Sequence, residues 1–141
     1  MRMNRLWVLG AIVVALLAFG SRPSPAATMG PGDEIKTAIT HAGFAEKYDS
    51  MKDVSMHLHH VINCLVGPAD PMFDNMAGNP CQGQGKGIMP DIKASMGADQ
   101  EYQVAWWLAH LADQAIKMGN LAQAKAAAHI IGVQLTAMSK M

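Results

Sequence analysis

Between Ser50 and Gly67 the chain carries apolar residues at Val54, Leu58, Val61 and Leu65, at spacings of four, three and four. That period belongs to an α-helix and to no strand. Ser50 stands where a helix N-cap belongs, and Asp53, three residues later, completes a capping-box-like start with Asp in place of the usual Glu. Gly67-Pro68 then stops the segment. A helix over 51–66 is therefore expected. It carries a second row beside its core stripe: Asp53, His57, His60 and Cys64. At about 100° per residue these four fall within an arc of roughly 60°. All four are metal-ligand types, so one helix is expected to bury one face and present ligands on its flank. His59 points about 100° away from His60 and is left out.

Three further long segments show the same period. In 33–48 the stripe is Ile35, Ala38, Ile39, Ala42 and Ala45, after Pro31-Gly32. In 98–118 it is Val104, Leu108, Leu111 and Ala115, with Asp99 as cap. In 121–139 it is Ala124, Ala128, Ile131, Leu135 and Met138, behind a Gly119-Asn120 turn whose Asn caps the helix. Trp106 and Trp107 are adjacent and cannot share a face, so one is expected in the core and the other on a partner or neighbouring surface. Residues 67–90 hold five Gly and four Pro and read as irregular, with a short helical turn over 91–96. The expected fold is all-α: an antiparallel four-helix bundle with a long Gly/Pro-rich loop between helices two and three.

The first residues read differently. Arg2 and Arg5 precede an apolar run from Leu6 to Phe19, and Ser24-Pro25-Ala26-Ala27 offers small residues for cleavage. The pattern is that of a secretory signal over 1–27, with an uncleaved N-terminal anchor as the alternative. The remainder, 28–141, suits one helical domain in a periplasmic or secreted protein. It holds 8 basic against 11 acidic residues, a net charge of 8 − 11 = −3. No basic patch supports nucleic-acid binding, and no membrane association is expected after cleavage.

In an exported chain two cysteines ordinarily pair, and Cys64 and Cys81 are the only two. Their bridge would tie the glycine-rich loop to the helix. The competing arrangement, His57, His60, Cys64 and Cys81 around zinc, matches no common zinc spacing. With the disulfide formed, the imidazoles remain. His57 and His60 are the candidate metal ligands, with Asp53 as a ligand or as a partner that orients an imidazole. His41, at the edge of the first apolar stripe, joins them if the first two helices are antiparallel neighbours. His110 and His129 lie on polar faces and read as solvated.

Gln82-Gly83-Gln84-Gly85-Lys86-Gly87 lacks the Gly-Lys-Ser/Thr ending of a phosphate loop, and no Cys-x-x-Cys-His exists for covalent haem. Nothing resembles a serine nucleophile elbow. The residues thus point to binding of a transition metal, with copper favoured over zinc because 6 His and a wealth of Met accompany an oxidising compartment. Alternatives are a non-covalent haem or redox protein, and an envelope protein that binds a protein partner without a cofactor.

Overall fold

The computed structural model describes residues 31–95 and 99–141. The signal segment expected over 1–27 lies outside the described residues, as does Ala98, the expected start of the third long helix. Among the described residues the chain is all-helical and compactly packed, with no strand. Five helices occur: α1 (Pro31–Lys47), α2 (Met51–Val66), α3 (Ile88–Ala94), α4 (Asp99–Met118) and α5 (Leu121–Met138).

Helix α1 starts two residues before the expected Asp33. Pro31 occupies its first position, where a missing N–H costs nothing and a fixed φ favours the helix. Helix α2 begins on the expected cap: the Ser50 hydroxyl accepts from the Asp53 N–H at 3.1 Å and donates to the Asp53 carboxylate at 2.5 Å. Helix α5 starts the same way, with the Asn120 side chain accepting from the Gln123 N–H at 3.0 Å. The turn expected at 91–96 is instead a helix that begins at Ile88. Pro90 lies inside its first turn, where backbone N–H groups have no intrahelical acceptor and proline does no harm.

Helix α1 packs mainly against α5 and α2, α2 also against α4, and α4 against α5. The core draws Val54, Leu58, Val61 and Leu65 from α2, all fully buried, together with Ile131 and Leu135 from α5 and Leu108 from α4. Each such side chain contributes roughly 1.5–3 kcal/mol by leaving water. The buried stripe of α4 differs from the one expected. Ala105, Ala109 and Ala112 are buried beside Leu108 and Ala115, while Val104 and Leu111 are only partly so. Alanines let the neighbouring backbones approach closely, and that approach selects the small-residue face over the branched one. The same rotation leaves both tryptophans out of the core: Trp106 and Trp107 are 46 % and 49 % exposed.

The segment between α2 and α3 leaves and returns at one point. A Cβ on Gly67 (φ 73°) would collide with the Lys86 carbonyl, and one on Gly87 (φ 118°) with the Gly67 backbone. Two glycines therefore permit the backbone contact that closes the loop. Inside it, Asp70, Asp74 and Asn79 each accept a backbone N–H two residues on, forming successive Asx turns. The Cys64–Cys81 disulfide is formed and links α2 to the far part of the loop, with a Cα–Cα distance of 5.3 Å.

Candidate metal centre

Packing of α1 on α2 brings together three imidazoles. His41 projects from the second half of α1, and His57 and His60 project from successive turns of α2. The Nδ1 atoms of His41 and His57 are 3.0 Å apart, and those of His41 and His60 are 3.1 Å apart. One ligand atom from each of the three lies within 4.8 Å of the others, a group able to hold a metal ion. Two nitrogens bound tetrahedrally to an ion at about 2.0–2.1 Å stand about 3.3–3.4 Å apart. The two His41 contacts, at 3.0 and 3.1 Å, fall a few tenths of an ångström short of that spacing.

His60 has a defined tautomer. Its Nε2 lies 2.7 Å from the Ala77 carbonyl oxygen in the loop. A carbonyl only accepts, so Nε2 carries the proton, and in the neutral ring the lone pair lies on Nδ1, toward His41. The 3.1 Å approach of the two Nδ1 atoms then makes His41 Nδ1 the donor. His57 is 7 % exposed, and its Nε2 is buried without a hydrogen-bond partner. Aromatic rings wrap it: Tyr48 stacks on it at 5.1 Å and an 18° interplanar angle, and Phe44 lies 5.1 Å away. Phe44 also meets His41 edge-on at 5.7 Å.

This surrounding favours the uncharged form of His41 and His57. Burial, and then the nearby His60 and His57, lower the His41 pKa from an ordinary 6.5 to about 4. Burial and then His60 lower that of His57, against a weaker opposing pull from Asp53. A metal ion requires such neutral rings.

Asp53 stands elsewhere. Its carboxylate accepts from the Ser50 hydroxyl at the α2 cap, and it is not one of the three converging groups. It acts on His57 through its charge. Cys64 and Cys81 are joined to each other, so neither presents a thiolate. His59 faces Asp74 at 3.5 Å, on another flank of α2. His110 packs on Trp106 with ring centroids 4.0 Å apart, and His129 pairs with Glu46 at 3.1 Å.

Three contributors escape a reading of the sequence. Phe44 of α1 and Tyr48, just beyond its end, reach His57, and Asn63 of α2 binds the loop that supplies Ala77. Asn63 did carry a signal: an amide among apolar residues, three positions after His60, in a helix whose exposed face lies elsewhere. No protein-family model, curated protein or solved structure matches this chain.

Proposed function

We propose that the protein is an exported four-helix bundle that binds a transition metal, copper in preference to zinc, for storage, delivery or buffering. The convergence of three imidazoles from two helices carries this reading. Imidazole suits copper, zinc, nickel and iron, and for a given nitrogen site copper binds most tightly. A disulfide that occupies both cysteines leaves nitrogen as the donor type and accords with an oxidising compartment. No helix among the described residues is long and apolar enough to cross a membrane.

His41, His57 and His60 would hold the ion through Nδ1. His60 already directs that lone pair inward. His41 would shift its proton to Nε2, on the half-buried ring's other side. Three ligands leave a position at which water or an incoming ligand exchanges, as delivery requires. Asp53 would support the site through its charge. Haem is the weaker alternative, because the buried alanines of α1, α4 and α5 bring the helices too close for a macrocycle. A cofactor-free envelope protein would use the exposed Trp106 and Trp107 instead.

Elemental analysis of protein purified from its native compartment tests the proposal. About one copper per chain, lost in a His57→Ala/His60→Ala variant, is the expected result. Protein that arrives without metal and binds neither copper nor zinc better than that variant would refute it.

A further inference from the structure

The part of the loop that touches His60 is bracketed by hydrogen bonds from one side chain, Asn63. Asn63 is 1 % exposed and makes three hydrogen bonds to that loop. Its Nδ2 donates to the carbonyls of Asp74, at 2.8 Å, and Gly78, at 2.6 Å. Its Oδ1 accepts from the Asp74 N–H at 2.8 Å. The assignment is self-consistent, since a flipped amide would set its oxygen against two carbonyls and its NH2 against an N–H. The two anchor points, Asp74 and Gly78, bracket Ala77. Gly78 has φ 85°, a value that only glycine adopts without strain. It lets successive carbonyls face α2, that of Ala77 toward His60 and that of Gly78 toward Asn63.

We propose that Asn63 is a positioning residue for the histidine centre: it clamps residues 74–78 so that the Ala77 carbonyl holds the His60 proton on Nε2 and leaves its Nδ1 lone pair facing His41 and His57. The idea rests on the metal reading above for its purpose, though its geometry stands without it. A ligating histidine ordinarily gives its other N–H to a carbonyl or carboxylate, and loss of that partner weakens metal binding about 10–100-fold. Here the partner is a loop backbone, and a backbone carbonyl is only as well placed as the loop. The disulfide pins that loop at Cys81, four residues beyond Ala77, but does not orient the carbonyl. Asn63, three residues after His60 on the same helix, does.

The test uses the full disulfide-bonded protein and zinc, which leaves NMR spectra readable. Long-range 15N–1H correlations of the metal-free wild type should show His60 protonated on Nε2. In Asn63→Ala, His60 should sample both tautomers, and zinc affinity should fall about 10-fold while helicity and the disulfide persist. If Asn63→Ala does not fold, Asn63→Asp supplies the same reading, because it keeps the acceptor for the Asp74 N–H and loses both donors. A His60 tautomer and zinc affinity unchanged in the folded variant would overturn the proposal. Wild type that binds no zinc or copper refutes the metal reading alone; the tautomer comparison still decides the role of Asn63.

Discussion

Two polar clusters lie along α1, and burial acts on them with opposite sign. Near the start of the helix, Glu34 is 1 % exposed. Its Oε1 accepts from the Gly87 N–H at 2.9 Å, and its Oε2 is buried without a partner. Burial pushes its pKa from 4.5 up to about 7; the Gly87 N–H opposes the rise, and the facing Asp91 carboxylate of α3 adds to it. Two turns on, burial lowers His41 to about 4. The physics is shared, because a low-dielectric site disfavours whichever form is charged. The outcomes differ in kind. The Glu34 carboxyl holds its proton to a higher pH than usual and joins α1 to the loop end beside α3. Burial favours the uncharged rings of His41 and His57, which meet His60 nitrogen to nitrogen around His41. One cluster is a joint, the other a group able to hold a metal ion.

The largest expected effect breaks the ligand side. His57→Ala/His60→Ala should lower copper and zinc affinity at least about 100-fold in competition titrations, more than loss of an orienting partner alone would. Helicity should persist, since neither histidine belongs to the apolar stripe. Equal binding by wild type and variant would make the cluster a polar flank.

The disulfide links the two regions, for Cys64 follows His60 by one turn and the Cys81 Sγ lies 3.7 Å from the Glu34 carbonyl. Cys64→Ser/Cys81→Ser should destabilise the protein by about 3 kcal/mol in urea denaturation, given a closed segment of 17 residues. It should also weaken metal binding. Loss of stability with unchanged affinity would show that the joint and the site are independent. The wild type should show no free thiol until reduced.

Glu34→Gln isolates the joint. A folded-state pKa raised above the unfolded one means that the native state binds the extra proton between about 4.5 and 7. The associated stability is present below 4.5 and is lost as pH rises through about 7. The amide carries no such penalty, so Glu34→Gln should match wild type near pH 4.5 and exceed it by about 1–2 kcal/mol at pH 8. A constant difference across that range would contradict a proton-holding carboxyl. The smallest effect belongs to His59→Ala. Metal affinity should change less than about threefold, because His59 lies some 100° round the helix from His60. A loss equal to that of His57→Ala would indicate loose binding by a histidine-rich chain.

What the sequence determined by itself is local. Spacing of Val54, Leu58, Val61 and Leu65 specifies α2, and Ser50 and Asn120 specify helix starts, because period and caps act within a few residues. The cysteine pairing was legible because only one pairing exists. His57 and His60 share a flank for the same local reason. Their meeting with His41 is different: it spans 16 and 19 residues and depends on how α1 lies against α2. The rotation of α4 that buries Ala105, Ala109 and Ala112 and exposes both tryptophans follows from backbone approach, which periodicity does not encode. The irregular stretch after Gly67 became an anchored loop through contacts that include those of Asn63, Cys64 and Glu34, whose partners lie from 11 to 53 residues away. The pKa shifts of Glu34, His41 and His57 were likewise decided in three dimensions, because desolvation belongs to the surroundings of a group and not to the group itself.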